Sequence, residues 1–499
     1  VNTLDSIISG FYISLQPINL LYCFLGVIMG TLVGVLPGLG PAAALSLLLP
    51  IVYHIPPVSA LIMLFGLCYG TAYGGSTTSI LVNIPGELSS VVTCFDGYQM
   101  ARQGRAGPAL GIAAFGSFIA GTLGVIGLML FAPLLADFAL RFGPPEFFSL
   151  AVMSLTLVAY VGRGKILSGL MMACVGLLMS TVGMDTITAK PRLTFGFSSL
   201  LDGFELPFVA MGLFGLSEIF INLSKDVKSE VSEIFATKIK HLLPTRQDWK
   251  DSTKPILRGT AIGFFLGIIP GVGAAIPTFL SYAIEKKLSK NPDKFGKGAI
   301  EGVAGPESAN NAAYDGTFVP MLSLGIPTNV STSIILGVLM VLGIQPGPML
   351  ISSRPDVFWG VVSSMYIGNV MLLLLNLPLI GLWVQILKIP YSLLFPLIVL
   401  FCEIGAFSVN NSVTDVLLVN IFGVIGYIMR RYEFEGAPLL MALVLGPMIE
   451  NSLRRSLIMS DGSFMIFLSR PLSVFFLLVA IFLILSPLIT KKISKKTIN

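Results

Sequence analysis

Apolar runs of about 20 residues, the length a helix needs to cross a hydrocarbon core, recur along this chain between charged or Pro/Gly-rich breaks. They fall near 20–53, 58–82, 108–135, 146–161, 165–183, 205–223, 258–284, 312–326, 331–350, 357–387, 391–407, 414–429, 437–450 and 472–490. Some are too short or too interrupted to be simple crossings. The pattern predicts an all-α polytopic membrane protein with about 12 membrane segments. Composition agrees, because 54% of the 499 residues are hydrophobic, only 11% are charged, and the mean hydropathy is +0.87. The one extended polar stretch runs from about Ser224 to Pro255, so no large extramembrane domain is expected.

Two of these runs carry the same interruption. Gly30, Gly34, Pro37, Gly38 and Gly40 spell Gly-x-x-x-Gly-x-x-Pro-Gly-x-Gly, and Gly263, Gly267, Pro270, Gly271 and Gly273 repeat it at identical spacing. Five matched positions point to two halves descended from one unit. Helix breakers at bilayer depth are tolerated only where the freed backbone is buried in protein or lines a wet cavity. The motif therefore marks a solute site, and its repetition points to a transporter. Taken alone, the Gly-x-x-x-Gly part predicts close helix packing. The Pro-Gly part reads as site-forming, because Pro at mid-span removes a helical hydrogen bond.

Basic residues set the orientation. Lys225, Lys228, Lys238, Lys240, Arg246, Lys250, Lys254 and Arg258 precede the second motif, Lys286, Lys287, Lys290, Lys294 and Lys297 follow it, and the tail carries Lys491, Lys492, Lys495 and Lys496. All are expected to be cytoplasmic, so the run 258–284 is read as turning back at Pro270-Gly271, the alternative being one kinked full span that breaks the charge rule once. Each arm of about 12 residues is about 18 Å of helix, roughly half a bilayer, which describes a re-entrant hairpin. The first motif has no Lys or Arg in its flanks and is read as entering from the other face. The expected fold is two inverted repeats, each with a re-entrant helical hairpin and a broken transmembrane helix. Residues 1–223 form the first repeat, 224–257 a basic cytoplasmic linker, and 258–450 the second repeat. Residues 451–499 hold an interfacial segment, a last transmembrane helix and a basic tail. Counting from a periplasmic N-terminus to a cytoplasmic C-terminus leaves Arg141, Lys190/Arg192 and Arg454/Arg455 as exceptions to the charge rule. The N-terminus lacks the basic region of a cleavable signal.

Four polar, breaker-rich elements carry the candidate chemistry: Gly34 to Pro41; Tyr69 to Thr78 running on to Asn83-Ile84-Pro85-Gly86-Glu87; Gly267 to Gly273; and Glu307 to Thr317 followed by Gly325 to Thr332. Ile84-Pro85 and Ile326-Pro327 correspond, so each half is read as a broken hairpin followed by a broken crossing. A Gly/Pro tip exposes backbone N–H groups at the positive end of a half-helix, which suits a carboxylate or phosphate. Hydroxyls and amides beside it can direct a solute's oxygens, and carbonyls at opposite half-helix ends can hold a small cation such as Na⁺. Ionisable residues at this depth are scarce. Glu87, Asp96, Glu307 and Asp315 are candidates for cation coordination or proton coupling, with Glu87 and Asp96 reading equally as loop caps. Cys23, Cys68, Cys94, Cys174 and Cys402 form no CxxC pair, and His54 and His241 stand alone, so neither a disulfide framework nor a metal site is indicated. The net charge of +5 resides in the loops and implies no nucleic acid.

Taken together, Gly-Thr-Leu-Val-Gly-Val-Leu-Pro-Gly-Leu-Gly-Pro (30–41), Tyr-Gly-Gly-Ser (73–76), Asn-Ile-Pro-Gly-Glu (83–87), Asp-Gly-Tyr (96–98) and Gly-Arg-Ala-Gly-Pro-Ala-Leu (104–110) resemble the large permease subunit of tripartite tricarboxylate transporters, the TctA family. Phe-Gly-Lys-Gly-Ala-Ile-Glu-Gly-Val-Ala (295–304), Asn-Asn-Ala (310–312) and Leu-Gly-Ile-Pro (324–327) resemble it too. The resemblance implies a multi-pass secondary transporter of the bacterial inner membrane. It would work with a small four-span membrane subunit and a periplasmic solute-binding protein. It further implies import of a small carboxylate, a tricarboxylate or dicarboxylate, driven by a cation gradient that is commonly Na⁺, with no other cofactor. Carried over residue by residue, the substrate-binding positions are Pro37, Gly38, Gly40, Tyr73, Gly74, Gly75, Ser76, Asn83, Pro85, Gly86, Pro270, Gly271, Gly273, Asn310, Asn311 and Pro327. Thr328 and Asn329 stand where that pattern leads one to expect Gly-Ser, and their polar bulk joins the proposed site and points away from citrate itself. The chain is therefore read as a transporter and not an enzyme. The competing readings are an intramembrane enzyme using Asp315 with Asp96, and a passive anion channel.

Overall fold

The computed structural model describes residues 3–36, 40–161, 166–185, 187–224, 242–386 and 391–497. It is helical almost throughout. The first half comprises α1 (Thr3–Ser14), α2 (Pro17–Val35), α3 (Pro41–Val52), α4 (Pro57–Val82), α5 (Val91–Arg102), α6 (Ala106–Ala139), α7 (Pro144–Val161), α8 (Ile166–Ser180), α9 (Leu206–Ala210) and α10 (Ser217–Ser224), the last two joined by a π-helical segment, Met211–Leu216. The second half comprises α11 (Arg246–Gly267), α12 (Ala275–Leu288), α13 (Glu301–Leu324), α14 (Val330–Val341), α15 (Leu350–Ser353), α16 (Pro355–Asn376), α17 (Ile380–Ile386), α18 (Tyr391–Asn410), α19 (Val413–Arg431), α20 (Gly436–Met459), α21 (Met465–Ser469) and α22 (Pro471–Thr497). A two-residue ladder, Gly183–Met184 with Pro191–Arg192, is the one strand pair among the described residues.

Among the described residues, eight helices are long and apolar enough to cross a bilayer. Leu417, Ile421, Val424 and Ile428 form an exposed apolar stripe along α19, one of the eight, and Phe475, Leu478 and Phe482 form another on α22, whose apolar stretch is shorter. A continuous exposed apolar belt of this kind is a lipid-facing surface.

Glycine decides how the innermost helices meet. Gly26, Gly30 and Gly34 of α2 lie directly against the backbone of Met63, Leu67 and Thr71 of α4, while Gly66, Gly70 and Gly74 of α4 face α2 in return. A Cβ on Gly70 would stand 2.6 Å from the Thr31 nitrogen and the Val27 oxygen, so the helices can approach this closely only without side chains. In the second half Gly259, Gly263 and Gly267 of α11 meet the backbone of Gly305, Ala309 and Ala313 of α13 in the same way. Rising numbers on one helix meet rising numbers on the other, so each pair runs parallel. The Gly-x-x-x-Gly positions of both motifs therefore pack helices, as their spacing predicts.

The two pairs then cross. Phe65, Tyr69 and Ser76 of α4 contact Phe318, Asp315 and Glu307 of α13 in turn, so these two helices are antiparallel. Both are enclosed: nearly every residue of α4 and all of Gly302–Ser323 are buried. Buried on every side, α13 needs no apolar face to be held. This explains why it begins at Glu301 and not near 312, where the apolar run starts.

Each of the two central helices ends in the same device. Asn83 (φ 57°) and Gly325 (φ 71°) take the left-handed conformation that closes a helix. Ile-Pro follows in both cases and disfavours further helix, after which Glu87 and Asn329 start the next helical segment. The breaks thus sit at 83–87 and 325–329. Tyr69 to Thr78 and Glu307 to Thr317, read from the sequence as parts of broken crossings, are unbroken helix. Their glycines serve close packing and leave the hydrogen-bond ladder intact.

Ion pairs account for two of the exceptions to the charge rule, Arg192 and Arg454. Arg192 pairs with Glu450 at 2.6 Å, and Arg454 pairs with Asp185 at 2.8 Å and with Glu450 at 3.1 Å, giving a cluster of two positive and two negative charges. Arg454, and after it the Ile187 N–H, hold the Asp185 carboxyl well below its usual value of 3.8. A carboxyl lowered on folding contributes stability that is present above its unfolded pKa and is lost as the pH falls below it. Asp185→Asn should therefore reduce thermal stability near neutral pH, and the gap from the wild type should close as the pH drops below about 3.8. A gap constant across that range in a detergent-solubilised melting series would remove this assignment.

Candidate functional site

The sequence candidates meet where α4, α5 and α13 cross. Glu307 is 1% exposed; one of its oxygens accepts from Ser76 Oγ at 2.5 Å and the other from Thr93 Oγ1. One turn along α13, Asn311 donates to Ser117 Oγ at 2.6 Å. Asn310 donates to Glu87 at 3.1 Å, and the Tyr314 hydroxyl donates to the other Glu87 oxygen at 2.8 Å. Ser89 adds a third donor to Glu87 at 2.5 Å. Asp315 is fully buried, accepts from the Tyr69 hydroxyl through Oδ1, and presses Oδ2 against Gly124 with no partner. The carbonyl oxygens of both Asn310 and Asn311 are likewise buried without partners.

Small residues make room for this network. Gly86, in the first break, lies on the Gly75 backbone and the Gly34 carbonyl, which brings Glu87 over α4. Gly74 packs on α2, while Tyr73 turns away and donates to Asn369 at 2.9 Å. The cavity touching the network has a volume of about 20 Å³ and is lined by Tyr73, Ser76, Thr77, Ser117 and Asn376, enough space for a single water. This cavity is too small for a carboxylate.

The second motif forms the turn between α11 and α12. Gly271 has φ +84°, and a Cβ there would stand 2.9 Å from Val158 Cα, so glycine is required at this position. Its N–H donates to the Thr328 carbonyl at 2.8 Å, which ties the turn to the second break. Asn329 caps α14 through the Thr332 N–H at 2.9 Å, and Thr332 answers to the Asn329 N–H at the same distance. Pro270, Gly271, Gly273, Pro327, Thr328 and Asn329 thus gather around one turn, apart from the Glu307 network. Gly40 begins α3 with open space around it. Pro37 and Gly38 lie outside the described residues.

Asp96 has a different role. It accepts from the Gly298 and Ala299 N–H groups at 2.8 Å each and from the Tyr282 hydroxyl at 2.9 Å, which makes it the anchor of the loop before α13. It also sits against Gly302, thirteen positions before Asp315 on the same helix. At 1.5 Å per residue the two carboxyls are roughly 20 Å apart, too far to act as an aspartyl dyad. Among the described residues, no three His, Cys, Asp or Glu side chains converge as metal ligands. Sequence reasoning missed Thr93, Ser117 and Asn369. Their signal was faint: single polar residues outside the motifs.

Residues 20–441 match the model of the tripartite tricarboxylate transporter TctA family. The chain belongs to the TctA family. It is 48% identical over 487 residues to an "Uncharacterized 52.8 kDa protein in TAR-I ttuC' 3'region" of Agrobacterium vitis, covering 98% of this chain and 96% of that protein. It is also 50% identical over 233 residues to an "Uncharacterized protein in TAR-II ttuC' 3'region" of the same organism, covering 46% of this chain and 96% of that protein. No solved structure matches. TctA membership, with the apolar helices, makes this a multi-pass membrane protein of a transporter family. The family implies a tripartite system with a small membrane subunit and a periplasmic binding protein.

Proposed function

We propose that this TctA-family subunit imports a small carboxylate together with a cation, probing the cation gradient through Glu307 and Asp315. The observation that carries this reading is the pair of buried carboxyls on α13, neither of which has an ion-pair partner among the described residues. An ionised group in such a site costs several kcal/mol unless it is neutralised, so each needs a proton or a bound cation. The unpartnered oxygens of Asn310 and Asn311 extend the same acceptor-rich surface, which suits a small cation such as Na⁺. A cation held there also offsets the repulsion that an incoming carboxylate would meet.

The scaffold is two inverted repeats. Matching parallel pairs (α2 with α4, α11 with α13), an antiparallel crossing between them and two equivalent Ile-Pro breaks support this arrangement. The solute is held between the two Pro-Gly motifs, at the positive ends of α3 and α12. The N-terminus lies on the periplasmic side, where a binding protein delivers the carboxylate, and the small subunit completes the carrier in the inner membrane.

The test is reconstitution of the subunit with its small membrane partner and binding protein in liposomes, followed by uptake of labelled citrate, succinate and other carboxylates with and without a Na⁺ gradient. Concentrative uptake that needs both the gradient and the binding protein is expected. Flux that merely follows the solute's own electrochemical gradient would establish a channel instead. Uptake indifferent to the binding protein would remove the tripartite mechanism.

A further inference from the structure

A second cavity lies outside the Glu307 network. It has a volume of about 530 Å³ and opens beside the second break, against Leu324 and Gly325. Its wall is completed by the loop after α14, with Gln345, and by α20, with Ser452 and Arg455. The size is that of a small-molecule site. Arg455 is the one ionisable side chain in the wall, and it makes no hydrogen bond or ion pair among the described residues. Its neighbours differ: Arg192, Arg454 and Arg470 are each committed to carboxylates, with Glu450, Asp185 and Glu146 respectively. Arg455 is thus a cation left uncompensated beside three arginines that are neutralised.

From this geometry we infer that the cavity is an outward docking site for the carboxylate, with Arg455 as its anion-binding residue. A guanidinium offers a planar pair of donors that matches a carboxylate, and Gln345 supplies an uncharged amide at the same wall. The route inward is short. Gly325 leads through Ile326-Pro327 to Thr328, whose carbonyl accepts from Gly271 in the turn of the second motif. A solute docked at Arg455 therefore stands beside the break and the turn that the proposed transport cycle uses. The inference rests on that transport reading. A phospholipid headgroup presents similar anionic oxygens, and the apolar rim at Met340 and Met448 leaves it a place, so the experiment separates the two sources.

Cys174, the exposed native cysteine, is replaced by Ser, and Met340→Cys is introduced as a reporter at the cavity rim, where the side chain is exposed and has no part in holding the carboxylate. The rate of maleimide labelling of the purified chain is then followed with citrate, with succinate, or with phosphatidylglycerol added. Saturable protection by a carboxylate is expected, lost in Arg455→Gln and retained at least in part in Arg455→Lys, with unchanged gel-filtration profiles. No protection by either carboxylate overturns the inference, as does protection that survives Arg455→Gln. Protection by phosphatidylglycerol alone assigns the cavity to a lipid headgroup and overturns it as well. Labelling needs neither partner subunit, so its failure is distinct from failure of binding-protein-dependent uptake in liposomes.

Discussion

Glu307→Gln is expected to shift cation-driven uptake to much higher cation concentration while leaving the chain folded in the membrane. The substitution keeps the shape of the side chain and an acceptor for Ser76 or Thr93, both of which now donate to the carboxylate. What it removes is the charge. An interaction with a charged group is worth about 1.5–3 kcal/mol, so cation affinity should fall roughly ten- to hundredfold. Glu307→Ala should behave differently. It strands the buried Thr93 hydroxyl, leaves Ser76 only the Ala72 carbonyl, and opens a void beside the 20 Å³ cavity, so it should lower stability as well as uptake. Two measurements separate these effects: the Na⁺ dependence of uptake in liposomes, and the monodisperse fraction surviving a heating step. A Glu307→Gln protein with an unchanged Na⁺ dependence would refute the coupling role, whatever its stability. Asp315→Asn offers a comparison, because that carboxyl has a single donor, Tyr69, and an unpartnered second oxygen.

The apolar runs were legible as helices because lipid-facing and packed helices are both apolar, but among the described residues eight helices, not about 12, are long and apolar enough to cross a bilayer. One helical segment falls outside those runs. The segment 301–311 holds Glu301, Glu307, Ser308, Asn310 and Asn311, and no hydropathy scan assigns it to the interior. Its polarity is held by partners far away in the sequence, including Thr93, Ser117 and Glu87. The breaks at 83–87 and 325–329 were legible because Ile-Pro recurs and proline leaves few backbone options. Which carboxylates share a site was not legible. Glu87 and Asp96 look alike in sequence, both near breakers, yet the first joins the α13 network and the second anchors a loop. The arginine cavity was equally hidden, since Arg454 and Arg455 are adjacent in the chain and differ only in what faces them.

Gly30→Ala and Gly263→Ala should fail in the same way and to a similar degree. A methyl group on Gly30 would stand 2.8 Å from the Leu67 Cα, and one on Gly263 would stand 2.8 Å from the Ala309 Cα. Neither neighbour is a flexible side-chain tip, so each helix pair must separate along its length. Overpacking of this kind costs about 1–3 kcal/mol, occasionally more, and separation also draws α4 and α13 away from the contact that joins Glu307 to Ser76. Both proteins should therefore lose folded yield and heat resistance before any change in solute preference can be read. Gly40→Ala is the control within the same motif. No atom lies within 4 Å of a Cβ built there, and its φ of −76° suits any residue, so stability should change by less than about 1 kcal/mol. Loss of uptake in Gly40→Ala at unchanged stability would then report on the turn's approach to the solute. Wild-type heat resistance in either Gly30→Ala or Gly263→Ala would mean that the two helix pairs are not held by backbone contact, and the equivalence of the two halves would lose its main support.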